Sequence, residues 1–199
     1  MKKIFILLFY IIYFTSNAQV VINEYSAANY DTYTDNYGEY EDWVELYNPT
    51  TAPIDINGWA LSDKVSNPLK WIIPSSFIVP AGGTALVYCS GRSEIIGLDA
   101  HSNFKITQTK GSEVLMLSDA GGILQDSIRV YANQNSHSRG RETDGSANWS
   151  VFVNSTPGGN NFGAMQEYAA KPIFSLVGGY YPMAINISLT SPDPNTTIY

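Results

Sequence analysis

Hydrophobic and polar residues alternate most clearly within residues 42–49. Val44 and Leu46 share one parity. The other parity is occupied by Trp43, Glu45 and Tyr47. A period of two residues is typical of a strand whose two faces differ. The pattern therefore predicts a strand that buries Val44 and Leu46 in a core and keeps the carboxylate of Glu45 accessible.

A second alternating run follows in residues 54–63. Asn48-Pro49 ends the first run because proline lacks the amide proton that a strand ladder needs and restricts the residue before it. Asn57-Gly58 supplies residues that adopt a positive φ in turns, and the alternation restarts at Trp59. The two runs are predicted to form neighbouring strands joined by a turn.

The other hydrophobic runs are short, and glycine or proline separates them at close intervals. No stretch shows the 3.6-residue period of a capped amphipathic helix. Strands are predicted at residues 20–25, 70–74, 77–79, 84–88, 104–106, 113–118, 123–130 and 149–152, and loops at residues 26–41, 91–103 and 138–145. Short strands at this spacing predict an all-β protein, a β-sandwich with an immunoglobulin-like architecture.

The two ends of the chain differ from this central pattern. Residues 1–18 combine two lysines, an apolar run and small residues, which are the features of a secretory signal peptide. Residues 19–161 are predicted to form the sandwich and residues 162–171 a linker. Residues 172–199 start a new alternation that is too short to bury a core of its own. We expect them to be an incomplete second β-sandwich at the front of a longer protein.

Charge and cysteine content narrow the classes of function. The formal net charge is −7, and it becomes −9 once Lys2 and Lys3 leave with the signal peptide. An acidic balance disfavours nucleic acid and anionic bilayers as partners, because binding to both relies on Lys and Arg. Cys89 is the only cysteine and is predicted to be a buried strand residue. We expect a secreted or cell-surface protein with no membrane insertion after cleavage.

Six motifs, spread from about residue 20 to residue 161, resemble those of the lamin-tail domain family. They are Val21-Ile22-Asn23-Glu24, Asp42-Trp43-Val44-Glu45-Leu46-Tyr47-Asn48, Ile56-Asn57-Gly58-Trp59-Ala60-Leu61-Ser62-Asp63, Pro80-Ala81-Gly82-Gly83, Ser138-Arg139-Gly140-Arg141 and Thr156-Pro157-Gly158. Residues 35–42 are similar to the acidic form found in bacterial secreted proteins that also carry a spore-coat-protein-H-type kinase-like domain. Residues 171–199 resemble the start of a chitobiase or β-hexosaminidase C-terminal-type domain.

The resemblance implies an immunoglobulin-like accessory module with no catalytic residues in this stretch. It implies attachment or interaction at a surface, through a cell-surface, protein or glycan ligand. The favoured function is a non-catalytic binding or tethering module at the N-terminal end of an exported multidomain protein. The alternative is the accessory front end of an enzyme whose kinase-like or hydrolytic domain lies beyond Tyr199.

Carboxylates are concentrated in the first long loop predicted from the sequence. Hard oxygen ligands in such number suit Ca²⁺, which accepts irregular loops and takes about 6–8 oxygens. We predict a calcium site whose ligands are Asp35, Glu39 and Asp42. The alternative is a solvated acidic loop, with Glu24 and Glu45 on the flanking strands accepting backbone amide hydrogen bonds.

Aromatic residues surround the same loop, at Tyr25, Tyr30, Tyr33, Tyr37 and Tyr40. Exposed rings beside carboxylates and amides bind sugars or peptides in many proteins, although such rings also cover the ends of sandwiches. Catalysis is not predicted, because His101 and His137 are both expected in loops and no serine lies in a Gly-x-Ser-x-Gly elbow. Arg141 is expected to pair with a turn carboxylate such as Asp144.

Overall fold

The computed structural model describes residues 20–194 together with residues 196 and 198. The signal peptide predicted at residues 1–18 lies outside the described residues. Every regular element within them is a strand. No helix in this part of the chain is long and apolar enough to cross a membrane. The all-β class predicted from the sequence is therefore confirmed.

The described part of the chain contains fifteen strands. They are β1 (Val21–Ser26), β2 (Trp43–Tyr47), β3 (Ile54–Asp55), β4 (Ala60–Ser62), β5 (Trp71–Ile72), β6 (Ile78–Val79), β7 (Thr84–Tyr88), β8 (Glu94–Ile96), β9 (Asp99–His101), β10 (Val114–Ser118), β11 (Leu124–Arg129), β12 (Ser138–Arg141), β13 (Trp149–Phe152), β14 (Ile173–Phe174) and β15 (Leu189–Thr190).

Two sheets form the sandwich. The larger has seven strands in the order β13-β12-β1-β2-β7-β9-β8, and the smaller has four in the order β11-β10-β4-β5. The pair β7 and β9 is parallel. Val44 and Leu46 of the larger sheet share one core with Leu61 and Leu115 of the smaller sheet, and all four are fully buried. The prediction that this strand buries Val44 and Leu46 in a core is confirmed.

A bulge in β1 changes which side chains face the core. The register between β1 and β2 shifts between Ile22 and Glu24, which leaves Asn23 as the extra residue. Ile22 and Tyr25 both belong to the core although their parities differ. Asn23 and Glu24 therefore both lie on the outer face, the side of the seven-stranded sheet that points away from the core.

Residues 42–48 and 54–63 do not form neighbouring strands, contrary to the prediction. β2 pairs with β1 and β7, whereas β4 pairs with β10 and β5 in the other sheet. The side-chain amide of Asn48 donates to the carbonyls of Ala52 and Val79, at 2.8 and 3.1 Å, where the chain crosses between the sheets. The prediction was wrong because alternation reports the buried face of a strand and not its neighbour.

Three further predictions are corrected. The predicted loop at residues 91–103 contains β8 and β9, and the one at residues 138–145 contains β12. The strand predicted at residues 104–106 is absent. Phe104 and Ile106 are buried in the core, which explains their apolar character, but they belong to no strand. Alternation of apolar and polar residues therefore gave wrong predictions where a short strand is polar or where a buried segment is irregular.

Residues 165–168 still contact the sandwich, since Met165 pairs with Val151 and Glu167 forms an ion pair with Arg139. After them, β14 and β15 pair with each other in a small hairpin. The large apolar side chains around them, such as Val177, Tyr180 and Met183, are exposed. This hairpin buries no core of its own.

Candidate functional site

The second face of β2 is buried as well. Trp43 is fully buried and packs with Leu86 and Tyr88 in a cluster separate from the main core. Glu45 is also fully buried, so the prediction of an accessible carboxylate was wrong. Two segments cover this outer face. They are residues 27–42, which we call the acidic loop, and residues 153–161, which we call the C-terminal loop.

Two carboxylates hold the C-terminal loop against the sheet. Glu24 and Glu45 lie opposite each other on β1 and β2. Glu24 accepts hydrogen bonds from the backbone N–H of Thr156 at 3.0 Å and from its hydroxyl at 2.7 Å. Glu45 accepts from the N–H of Gly158 at 2.6 Å and from the side-chain amide of Asn23 at 2.9 Å. The interpretation of Glu24 and Glu45 as acceptors of backbone amides is confirmed.

Asparagine side chains complete this buried polar cluster. Oδ1 of Asp144 accepts from Nδ2 of Asn23 at 3.0 Å and from the backbone N–H of Asn161 at 2.9 Å. Nδ2 of Asn161 in turn donates to the carbonyl of Arg141 at 2.6 Å. Arg141 forms its ion pair with Asp126 at 2.8 Å. The prediction that Arg141 pairs with Asp144 was wrong. Oδ1 of Asp144 already accepts hydrogen bonds from Asn23 and Asn161.

The polar sequence of β12 follows from its contact with this cluster. The hydroxyl of Ser138 donates to Glu24. A Cβ at Gly140 would lie 2.9 Å from Cγ of Glu24, 3.0 Å from Nδ2 of Asn161 and 3.1 Å from the ring of Phe152. Glycine is therefore required where the backbone passes the Glu24 side chain. These constraints remove the hydrophobic alternation by which a strand is normally predicted.

Burial raises the pKa of both carboxyl groups. The pKa of Glu45 rises to about 8, mainly through loss of hydration, and the nearby charges of Glu24 and Asp144 raise it further. The pKa of Glu24 is raised by the same cause, while hydrogen bonds from Ser138 and Thr156 oppose the increase. Glu45 is therefore mostly protonated at neutral pH in the folded chain.

The three residues predicted to bind calcium make separate contacts within the protein. Oδ1 of Asp35 accepts from the N–H groups of Tyr37 and Glu39, both at 2.9 Å. Oδ2 of Asp35 is buried without a hydrogen-bond partner among the described residues and lies 4.0 Å from Nδ1 of His101. Asp35 is thus a buried organiser of the loop rather than a solvated carboxylate.

Glu39 and Asp42 point to different partners. Glu39 forms an exposed ion pair with Arg92 at 2.5 Å. Oδ1 of Asp42 accepts from the N–H of Asn29 at 3.1 Å, and burial raises the pKa of Asp42 to about 6. In residues 20–194, no group of three or more His, Cys, Asp or Glu side chains is arranged to hold a metal ion. The calcium site of Asp35, Glu39 and Asp42 stays a prediction.

His101 lies in β9 under the acidic loop, not in a loop as predicted, and is fully buried. Its ring stacks on Tyr88 with the centroids 5.2 Å apart. Nδ1 lies 3.0 Å from Oγ of Ser90, and Nε2 lies 2.7 Å from Oδ1 of Asn36. Tyr37 packs edge-on against the ring at 5.6 Å. The group ties the acidic loop to β9.

Most of the predicted aromatic surface is present. Tyr30, Tyr33, Tyr37 and Tyr40 are exposed. Tyr25 is fully buried instead, and its hydroxyl accepts from the N–H of Tyr131 at 2.9 Å. The prediction failed for Tyr25 because the bulge at Asn23 turns its side chain into the core.

A cleft with a volume of about 520 Å³ opens on the outer face where the two covering loops meet. Leu86 and Tyr88 of β7 line it, and Tyr33 of the acidic loop stacks on Tyr88 with the ring centroids 6.5 Å apart. Gly158 of the C-terminal loop and Leu98 of the β8–β9 turn also line it. Leu98 is 89% exposed. We call this site the outer cleft.

The residues of the outer cleft were not singled out from the sequence, apart from Tyr33. Leu86 and Tyr88 lie in a correctly predicted strand, but β2 and β7 alternate apolar residues on both faces. Leu98 lies in a segment predicted to be a loop. A leucine between Gly97 and Asp99, residue types typical of turns, is the signal that could have identified it.

The two sheets define an immunoglobulin-like sandwich, a fold compatible with a non-catalytic module. The model of the lamin tail domain family matches residues 14–132. The chain therefore belongs to the lamin tail domain family. β12 and β13 lie beyond the matched residues, yet they extend the same sheet as β1.

A search of curated proteins gives no match to the chain. The similarity of residues 171–199 to a chitobiase C-terminal-type domain stays a prediction, as does the association with a spore-coat-protein-H-type kinase-like domain.

Proposed function

We propose that this chain is a non-catalytic binding module of an exported protein, and that the outer cleft is its ligand site. The proposal assigns to the module the task of tethering a larger protein to a cell-surface, protein or glycan ligand. Export rests on the sequence of residues 1–18. N-terminal sequencing of the protein recovered from culture medium tests it, with Gln19 expected as the first residue and Met1 as the contradicting result.

The observation that carries the proposal is the composition of the outer cleft. Tyr33, Leu98 and the β7 residues Leu86 and Tyr88 come from three separate segments and converge on one concave surface. A rigid concave site with apolar and aromatic walls and few polar groups is the usual form of a ligand pocket. Leu98 and Ile78, which are 89% and 49% exposed, leave apolar area uncovered in the free chain.

Binding to defined probes tests this function. The chain is incubated with insoluble chitin, cellulose and peptidoglycan, and separately with a displayed library of random peptides. We expect at least one probe to bind, and Tyr33→Ala and Leu98→Ser each to weaken that binding about tenfold or more. Leu124→Ser is the matched control, because Leu124 is 49% exposed on β11 and does not line the cleft.

Two results contradict the proposal. One is that no probe binds above the level seen with unfolded chain. The other is that a probe binds equally well to Tyr33→Ala, Leu98→Ser and the Leu124→Ser control, which places the ligand site elsewhere.

A second candidate function is that the chain positions a downstream kinase-like or hydrolytic domain. The exposed apolar surface around β14 and β15 favours it, because a groove lined by residues such as Phe174, Val177 and Ile187 is normally covered by further protein. The coding sequence after Tyr199 decides the matter. A domain of either kind supports this candidate, and a stop codon directly after Tyr199 contradicts it.

Calcium binding by Asp35, Glu39 and Asp42 is a separate proposal. Thermal unfolding is compared in millimolar Ca²⁺, in Mg²⁺ and in chelator at matched ionic strength. A ligand about a hundredfold above its dissociation constant adds about 2.7 kcal/mol, which raises the midpoint by several degrees. A rise specific to Ca²⁺ that Glu39→Gln removes supports the site, and coincident curves refute it.

A further inference from the structure

Part of β7 lacks a strand on one side. β2 pairs with all five residues of β7, from Thr84 to Tyr88. On the opposite side β9 pairs only with Val87 and Tyr88. Residues 84–86 therefore have no strand partner on that side among the residues that the structure describes, and they line the outer cleft.

The backbone groups that point into this gap follow from the ladder between β2 and β7. The N–H of Cys89 donates to Asp42 at 2.7 Å, and the carbonyl of Gly83 accepts from Asn48 at 3.0 Å. Odd-numbered residues of the strand therefore direct their N–H and C=O groups toward β2. Successive residues alternate in direction, so Thr84 and Leu86 direct theirs away from β2.

The hydrogen bond of Tyr88 shows what lies on the side of β7 that faces away from β2. It has the same parity as Thr84 and Leu86, and its carbonyl accepts from the N–H of Ser102 at 2.9 Å, just after β9. An added segment that lay in line with β9 would meet Leu86 and Thr84 in the same way. The outer cleft is thus a stretch of unpaired sheet edge with a pocket over it.

The side chains and charge of the cleft restrict what could fill this gap. Leu86, Ile78 and Leu98 offer apolar contacts along it. Asp99 is the only charged residue that lines the cleft, and no Lys or Arg does. The whole chain is acidic as well, with a formal net charge of −7. The surface is complementary to an extended segment that alternates apolar and basic residues.

We propose that the outer cleft binds an extended basic-apolar segment of a partner protein, which pairs as an additional strand with Thr84 and Leu86 of β7. This inference rests on the proposed function, because it names the ligand class of the same cleft. Backbone hydrogen bonds to β7 supply part of the affinity. Side-chain contacts with Leu86 and Leu98, and attraction to Asp99, supply the selectivity.

The test uses a synthetic peptide of alternating valine and lysine with blocked ends, and the full chain labelled with ¹⁵N. Binding is followed by fluorescence anisotropy, and the amide signals of Thr84 and Leu86 by NMR. Three control peptides accompany it. One has every lysine replaced by glutamate. The other two are methylated on alternate backbone nitrogens, one at the valines and one at the lysines, so that each lacks the donors along one edge of an added strand.

We expect the valine-lysine peptide to bind and to slow hydrogen exchange at Thr84 and Leu86. The glutamate peptide and one of the two methylated peptides should bind about tenfold more weakly or worse. Leu98→Ser should weaken binding and Leu124→Ser should not. Thr84→Pro removes a cleft-facing N–H while leaving the ladder with β2, and should also weaken binding. Far-ultraviolet circular dichroism checks that each variant is folded.

Four outcomes overturn the inference. If the methylated peptide binds as well as its parent for both methylation patterns, the peptide is not held as a strand. If binding leaves the exchange of Thr84 and Leu86 unchanged, the peptide lies elsewhere. If the peptide fails to bind while a glycan binds and depends on Leu98, the proposed function stands and the strand inference falls. If no probe binds, both the proposed function and the strand inference are contradicted.

Discussion

The two loops that cover the outer face are held there in different ways. The C-terminal loop is attached through buried hydrogen bonds from Thr156 and Gly158 to Glu24 and Glu45. The acidic loop has a buried anchor where Asn36 bonds to His101, but its outermost contact, the ion pair of Glu39 with Arg92, is exposed. Buried polar contacts are costly to break, because the groups left behind lose both partner and water, whereas exposed ion pairs contribute little. The C-terminal loop is therefore held more firmly than the Glu39 end of the acidic loop.

The largest expected effect comes from breaking the fixed attachment. Glu24→Ala removes the acceptor for the N–H and hydroxyl of Thr156 and for the hydroxyl of Ser138. Each buried donor left without a partner costs about 1–3 kcal/mol of unfolding free energy. Urea denaturation measures it. A loss no larger than that of Glu39→Ala would remove the distinction between the two loops.

The pH dependence of stability gives the next effect. Folded Glu45 keeps its proton up to a pKa of about 8, whereas the unfolded chain releases it near the ordinary value of 4.5. Between these values the folded state binds more protons, so stability falls as pH rises, by at most about 1.4 kcal/mol per pH unit. Urea denaturation across this range measures the slope. Glu45→Gln should flatten it, and an unchanged slope in that variant contradicts the assignment.

Crowding at β12 gives an effect of similar or smaller size. A Cβ at residue 140 would press on Glu24, Asn161 and Phe152. Gly140→Ala should therefore cost about 1–3 kcal/mol, as overpacking usually does. Gly178→Ala is the control, because nothing lies within 4 Å of a Cβ at that position. Thermal unfolding of both variants checks the difference, and equal midpoints would argue against the close approach of β12 to Glu24.

The smallest effect is expected at the tip of the acidic loop. Glu39→Gln removes the charge that pairs with Arg92, in a contact that both side chains make while partly exposed to solvent. The cost should not exceed about 1 kcal/mol and should shrink in high salt. Urea denaturation at low and high salt measures it. A larger, salt-independent loss would show that this loop is held as firmly as the other.

Strand positions bounded by clear turn residues were predictable from the sequence. β2, β7 and the hairpin of β10 and β11 are short segments rich in apolar residues, and turn residues mark their ends. Which strands are neighbours was not predictable, as β2 and β4 show, because the pairing of distant segments depends on the whole sheet.

The candidate site was less predictable than the fold. The bulge at Asn23 reverses the alternation of β1, so Tyr25 enters the core and Glu24 reaches the outer face. The burial of Glu45 depends on residues 153–161, which lie far away in sequence. The acidic and aromatic residues near Asp35 were found, but their partners Arg92 and His101 come from a segment in which no strand was predicted.

Amide hydrogen exchange of the folded chain tests the contrast between the two loops most directly. The N–H groups of Thr156 and Gly158, which donate to Glu24 and Glu45, should exchange slowly and at a rate that salt does not change. Those of Tyr37 and Glu39, which lie in the exposed tip of the acidic loop, should exchange faster, and salt should accelerate them further as it screens the pair with Arg92. Equal rates at the two places, or faster exchange at Thr156 and Gly158, would contradict the account of a firmly held C-terminal loop and a more loosely held Glu39 end of the acidic loop.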